Sequence, residues 1–174
     1  MSNSASIPVI SVLQDNLVEL QVDAIVNAAN STLLGGGGVD GAIHRAAGAQ
    51  LLAECKTLTG CKTGQAKLTH GYKLAAPWVI HTVGPIWQGG THGEPQLLAS
   101  CYHESLRLAQ QKGLKSIAFP AISCGVYGYP KDQAVKVAVA TVSDFLVEDT
   151  QIEKVIFCCF EAQMADLYKA ALAP

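Results

Sequence analysis

Six short runs rich in β-branched, aromatic or other apolar residues constrain this chain most: Ile7–Leu13, Ala24–Asn27, Lys67–Tyr72, Trp78–Val83, Ser116–Phe119 and Lys154–Phe160. Several are apolar on both sides, which suits a strand only when both faces of its sheet are covered. Four intervening stretches carry apolar residues at helical spacing: Ala42–Lys56, Glu94–Lys112, Pro130–Val147 and Ala162–Leu172. Pro130 suits a first helical turn and Gly113 a C-terminal stop. Helices can therefore supply the cover, and the alternation predicts a three-layer α/β/α sandwich. The close succession of the first two strands, and of the middle two, predicts a mixed six-stranded sheet. With 174 residues, no repeat and no linker, the whole length is expected to fold as one domain. The Gly/His/Pro-rich stretch Gln88–Pro95 reads as a surface loop within it.

Two glycine-rich loops stand at strand-to-helix junctions. Residues 35–41 read Gly-Gly-Gly-Gly-Val-Asp-Gly, and residues 123–128 read Ser-Cys-Gly-Val-Tyr-Gly. Each places bare backbone N–H groups at a helix N-terminus, where unpaired donors and the positive end of the helix dipole stabilise a phosphate. The alternative is a flexible turn that needs positive φ and no ligand. Two such cradles point to a diphosphate, and because both follow strands they should meet at the carboxyl edge of the sheet. Gly36, Gly38 and Gly41 fit the spacing G-x-G-x-x-G. A dinucleotide fingerprint, however, follows its strand directly and leads to a second strand ending in an acid, whereas here Ala28–Leu34 intervenes and Thr57–Gly64 follows the helix. A P-loop is excluded because no Gly-Lys-Ser or Gly-Lys-Thr occurs.

Among side chains able to do chemistry, Asp40 is the most informative, since a fixed negative charge beside a phosphate cradle repels the ligand. It reads either as the N-cap of a helix beginning at Gly41 or as a carboxylate that orients water or takes a proton. Asn30 follows an apolar strand and reads either as Asx-turn chemistry or as an amide that fixes a sugar hydroxyl. Tyr127 suits packing on a ribose face or stapling its loop to the next helix. Phe160 suits stacking on a base or burial in the core. Asp15 suits accepting an amino hydrogen or forming a turn. His44, one helical turn after Asp40, is placed to pair with it. Cys124, at a helix N-terminus, has the position of an activated thiol but no identifiable base, so loop packing is the expectation.

Composition narrows the partners. Net charge is −2 and the twelve Lys and Arg are scattered singly, which disfavours nucleic acid. Six cysteines without a C-x-x-C pair argue against zinc and for reduced thiols. Residues 1–7 lack a basic stretch followed by an apolar one, and eighteen apolar residues never run together, so a soluble, cytoplasmic protein is expected.

The run Val22-Asp23-Ala24-Ile25-Val26-Asn27-Ala28-Ala29-Asn30, with Gly35–Ala42, His81-Thr82-Val83-Gly84-Pro85 and Trp87, Phe119–Ser123 and Ser123–Pro130, closely resembles the macrodomain family, specifically its MacroD-type branch. The resemblance spans nearly the entire chain. It implies a fold that binds ADP-ribose with the diphosphate between the two glycine loops. It further implies hydrolysis of O-acetyl-ADP-ribose and removal of mono-ADP-ribose esterified to acidic side chains of proteins, with no metal or other cofactor. Asn30 and Asp40 match the functional Asn and Asp of that branch, Tyr127 and Gly125 the residues enclosing the distal ribose, and Phe160 the adenine-stacking position. Further ligand contacts are implied at Asp15, Asn16, Gly37, Gly38, Val39, Ser123, Cys124 and Val126. In such a scheme the carboxylate activates water, or the ligand's own phosphate assists while Asp40 positions the sugar. The implied partners are ADP-ribose or its O-acetyl ester and mono-ADP-ribosylated proteins, without a membrane. A reader module that binds without turnover would need the glycine loops but not the Asn30 and Asp40 pair. One departure is Gln14, which stands where the family often has glycine after its first strand.

Overall fold

The computed structural model describes residues 7–148 and 151–174. Its strands are β1 (Val9–Gln14), β2 (Ala24–Ala29), β3 (Ala66–His70), β4 (Trp78–Val83), β5 (Ser116–Phe119) and β6 (Lys154–Cys159). They form one sheet in the order β1-β6-β5-β2-β4-β3. All neighbours run parallel except β3 and β4. The sheet is mixed, as expected, but only the middle pair makes it so. β1 and β2 are not neighbours, because the connection 15–23 is no hairpin: a 3-10 helix at Leu17–Glu19 buries Leu17 and carries the chain past β6 and β5.

The helices are α1 (Gly38–Ala47), α2 (Ala49–Thr57), α3 (Glu94–Lys112), α4 (Lys131–Glu148) and α5 (Ala162–Leu172). The single helix expected over residues 42–56 is thus two. Gly48 adopts φ +92° and returns its N–H to the His44 carbonyl, which ends α1 and redirects the chain.

Side chains alternate across the sheet with period two. Ile25, Val79, Ala118 and Ile156 face α1 and α2, where Ile43, Ala47, Leu51 and Cys55 close over them. Val26, Ile80, Ile117, Phe119, Val155 and Phe157 face α3, α4 and α5. On that side Phe157 stacks on Tyr168 at 4.6 Å between ring centroids, and Tyr102 lies 4.9 Å from Phe119. This double burial explains why the strands read as continuous apolar runs, with each large side chain contributing about 1.5–3 kcal/mol.

The five parallel strands end on the same edge, at Gln14, Ala29, Val83, Phe119 and Cys159. Registers such as Gln14 opposite Cys159 and Ala29 opposite Val83 keep neighbouring ends level. At the usual strand spacing, the ends of β1 and β4 lie about 19 Å apart. Among the described residues no helix is long and apolar enough to cross a membrane.

Candidate functional site

Both glycine loops lie at this edge, after the adjacent strands β2 and β5. α1 starts at Gly38 with Gly37 as its N-cap, and no side chain caps it. The N–H groups of Gly38, Val39 and Asp40 therefore belong to a helical turn without intrahelical acceptors. Gly41 must be glycine, since a Cβ there would lie 2.5 Å from the Gly36 carbonyl oxygen.

The second loop is tied by its own backbone. Cys124 N–H donates to Ala121 O (3.3 Å), Gly128 N–H to Gly125 O (3.0 Å) and Tyr129 N–H to Ser123 O (2.9 Å). This pattern leaves the N–H groups of Gly125, Val126 and Tyr127 outside the loop's own bonding. Ser123, at φ +66°, donates its hydroxyl to the Pro85 carbonyl at 2.8 Å and so fastens the loop to the turn after β4.

The two loops face one another across a cavity of about 350 Å³, lined also by Ala28, Asn30, Gly84 and the Tyr127 ring-bearing residue. Val39, Ala121 and Gly125 also line a second cavity, of about 200 Å³, which runs on to Asp15, Cys124, Lys131 and Phe160. The two make one cleft. A groove of about 860 Å³ between α3 and α4 is larger, but it is an open surface trough without any of the loop donors.

Asp40 is not an N-cap. Because α1 begins earlier than expected, the carboxylate sits in the first helical turn, and the residue is only 4 % exposed. Its Oδ1 accepts from Asn27 Nδ2 at 2.9 Å and lies 3.4 Å from His44 Nε2, within ion-pair reach of the expected partner, although that buried nitrogen makes no hydrogen bond. Its Oδ2 lies 3.1 Å from the point where a Gly36 Cβ would stand, and Asn30 Nδ2 lies 3.4 Å from that same point. Carboxylate and amide thus converge on one spot.

Asn30 also does turn chemistry: its Oδ1 accepts from Thr32 Oγ1 (2.7 Å) and Leu33 N–H (3.2 Å), and Nδ2 donates to Gly35 O (2.9 Å). The two readings of Asn30 coexist, because an amide nitrogen has a second hydrogen to offer. Tyr127 is half-buried and staples its loop through its carbonyl, which accepts from Trp87 N–H at 2.8 Å.

At the other end, Phe160 is 56 % exposed and lines the cleft, so the core reading of this residue fails. Gln14 does what a glycine there cannot: its Nε2 donates to the Phe160 carbonyl at 3.2 Å. Asp15 Oδ1 accepts from Asn16 N–H (2.7 Å), and Asn16 Oδ1 accepts from Val18 N–H (3.3 Å) as the cap of the 3-10 helix. Asn16 is the one expected ligand contact that does not line either cavity. Gly37, Gly38, Val39, Ser123, Cys124, Gly125 and Val126 all do.

The Cys124 thiol is pushed up to about 11 by burial, which outweighs the opposing Lys131 charge, so the thiol form prevails at neutral pH, in keeping with a packing role. All six cysteines are free. Among the described residues no three His, Cys, Asp or Glu side chains gather so as to hold a metal ion.

Sequence reasoning missed the polar layer beneath Asp40. Asn27 and His81 lie fully buried in β2 and β4, within 3.1 Å of each other. The available signal was a polar residue inside an all-apolar strand, which must find a buried partner. It also missed Glu94, the first residue of α3, which organises the loop before it. That buried carboxylate accepts N–H bonds from Gln88 (2.8 Å), Gly90 (2.9 Å) and His92 (2.7 Å). Burial alone raises its pKa, but the backbone donors together overcome this and hold it down at about 2.

Comparison with known proteins finds chains of similar sequence and fold. Residues 26–138 match the model of the Macro domain family. A protein of Salmonella gallinarum described as an O-acetyl-ADP-ribose deacetylase is 53% identical over 167 residues, covering 94% of this chain and 93% of that protein. The ADP-ribose glycohydrolase MACROD2 of Xenopus laevis is 54% identical over 165 residues, covering 94% of this chain and 40% of that protein. The crystal structure of the Trypanosoma brucei macrodomain in complex with ADP-ribose superimposes with a TM-score of 0.90 at 45% identity, over 94% of this chain and 69% of that one.

Proposed function

This chain belongs to the macrodomain family, and from that premise we propose that it binds ADP-ribose along the cleft and hydrolyses esters at the distal ribose. The substrates are O-acetyl-ADP-ribose and proteins carrying mono-ADP-ribose on Asp or Glu, and the reaction needs no metal. The observation that carries this reading is the convergence of Asn30 and Asp40 beside two rows of free N–H groups. Phe160 and Asp15 take the adenine at the β6 and β1 end. The N–H groups of Gly38, Val39 and Asp40 and of Gly125, Val126 and Tyr127 hold the diphosphate. Tyr127 and Asn30 enclose the ribose.

Water attacks the acyl carbon, the bond from that carbon to the ribose oxygen breaks, and the sugar hydroxyl and a carboxylic acid leave. With Oδ1 engaged by Asn27, Oδ2, beside Gly36 and Asn30 Nδ2, is the oxygen of Asp40 that faces the reaction. It either takes the water's proton or fixes the sugar while a substrate phosphate oxygen takes it; removing the carboxylate abolishes both. A buried negative charge beside a diphosphate weakens binding, and so is consistent with a group whose contribution comes at the transition state.

Asp40→Ala should keep or tighten ADP-ribose binding and lose about 10²–10⁴-fold in turnover, the range of general-base contributions. Calorimetry with ADP-ribose, paired with release of ADP-ribose from a glutamate-modified protein, measures both. If the wild type binds but releases nothing over hours, the chain is a reader module. If it binds no ADP-ribose, neither reading stands.

A further inference from the structure

Asp40 is approached from beneath by a row of buried polar side chains carried by three adjacent strands. Asn27 on β2 and His81 on β4 are register partners, and Thr69 lies on β3. Asn27 Nδ2 stands 2.9 Å from Asp40 Oδ1 and 3.1 Å from His81 Nδ1. His81 Nε2 stands 2.9 Å from Thr69 Oγ1, which lies 3.1 Å from the His70 carbonyl oxygen. The Cys55 thiol, 3.8 Å from His81 Nε2, completes the surroundings; burial raises it to about 11, so it carries no charge at neutral pH.

Counting hydrogens gives one consistent direction for the bonds of this row. A carbonyl only accepts, so with the single hydroxyl hydrogen of Thr69 on His70 O, Oγ1 accepts from His81 Nε2–H. Burial, reinforced by the nearby His44, lowers the His81 pKa to about 3, and the ring is neutral. A neutral imidazole protonated on Nε2 has a bare Nδ1, which accepts one hydrogen of the Asn27 amide. The other hydrogen goes to Asp40. Both amide hydrogens are used, while Asn27 Oδ1 is buried without a partner. An amide normally satisfied at its oxygen is here committed wholly to donation.

If His81 carried its proton on Nδ1 instead, it would confront the Asn27 N–H. The amide would then turn its oxygen toward His81 and toward Asp40 Oδ1, and two acceptors would face each other. We propose that Thr69 and His81, neither of which lines the cleft, are positioning residues that fix the orientation of Asp40 through Asn27. The role rests on the ester hydrolysis proposed above, with Asp40 as the group that acts on substrate.

Thr69→Val removes the acceptor that fixes the tautomer while keeping shape, and Thr69→Ser keeps the hydroxyl. Thr69→Val should lower kcat by about 10²-fold, the cost of misplacing a reacting group by roughly 1 Å, with the Kd for ADP-ribose unchanged. Nitrogen-15 NMR of the imidazole should show His81 bare at Nδ1 and protonated at Nε2 in the wild type and in Thr69→Ser, and a shift toward Nδ1–H in Thr69→Val. Thr69→Ser should restore kcat.

A wild-type ring protonated on Nδ1 overturns the proposal, as does Thr69→Val with a changed tautomer and an undiminished kcat. Loss of kcat, affinity and thermal stability together in both variants overturns it too, in favour of a merely structural role. A wild type without turnover removes the functional reading and the positioning role with it. Turnover with an Nδ1–H ring removes only the latter.

Discussion

Replacing Gly41 with alanine sets two opposing effects against each other, and the structure decides between them. Gly41 lies inside α1, where alanine is favoured over glycine by about 1 kcal/mol in an unobstructed helix. Here the added Cβ would meet the Gly36 carbonyl oxygen at 2.5 Å, about 0.9 Å short of the ordinary contact limit of 3.4 Å. Arg45 Nη1, at 3.0 Å, can swing away, but the carbonyl is backbone and yields only if the whole Gly36 peptide shifts. Overpacking of this kind costs about 1–3 kcal/mol, and a backbone obstacle places it in the upper part of that range. The net destabilisation is about 1–2 kcal/mol, which for a chain of this size lowers Tm by roughly 2–8 °C. Gly36 also stands beside Asp40 Oδ2 and Asn30 Nδ2, so its retreat disturbs the ester end and should lower turnover by about 10²-fold. Gly37→Ala is the control for stability: its φ of −93° is ordinary, a Cβ there meets nothing within 4 Å, and Tm should not move. Differential scanning fluorimetry of the two variants with a turnover assay measures all of this. Gly41→Ala with the Tm and turnover of the wild type would refute the close-approach argument.

Phe160→Ala should weaken ADP-ribose binding by about 1–3 kcal/mol, the usual worth of one base on an aromatic ring, and leave Tm unchanged because the ring is largely exposed; calorimetry and a melting curve separate the two. The thiols of Cys55, Cys101, Cys124 and Cys158 are raised to about 11 and that of Cys159 to about 12, in every case chiefly by burial. Intact-mass analysis after iodoacetamide treatment at pH 7 should accordingly show little labelling of the native chain and full labelling in urea. His81 has a folded pKa of about 3 against about 6.5 when unfolded, so between these values the unfolded chain binds the extra proton. Its contribution to stability is complete above about pH 6.5 and is lost as pH falls toward 3, with a slope of up to about 1.4 kcal/mol per pH unit; urea midpoints across that window test the sign.

Strands that are apolar on both faces announced themselves, and β4, β5, α3 and α5 lie where the residue pattern put them. Strand order was less legible. Nearness in sequence suggested that β1 and β2 pair, but a nine-residue link containing a helical turn can cross two strand positions, and periodicity carries no information about that. The start of α1 was hidden because glycine disfavours helix; the turn is set by the packing of Gly41 on Gly36, a contact no local propensity encodes. That misplaced start also produced the N-cap reading of Asp40. The break at Gly48 was hidden for the same kind of reason, since a glycine inside a periodic stretch is read as tolerated until its φ is known. At the site, Asn30, Asp40, Tyr127 and Phe160 stood out as polar or aromatic residues at strand ends and in loops. Asn27 and His81 did not, because their neighbours made them look like core.

The level ends of the parallel strands have one more consequence. Each strand delivers its own short peptide to the rim, so the aromatic ring after β6 and the carboxylate after β2 are carried by different parts of the chain. Under the proposed function, the ring offered to the base and the carboxylate offered to the ester can therefore vary separately, while the bonds that cross between rim peptides, from Gln14 to the Phe160 carbonyl and from Ser123 to the Pro85 carbonyl, hold the rim in register.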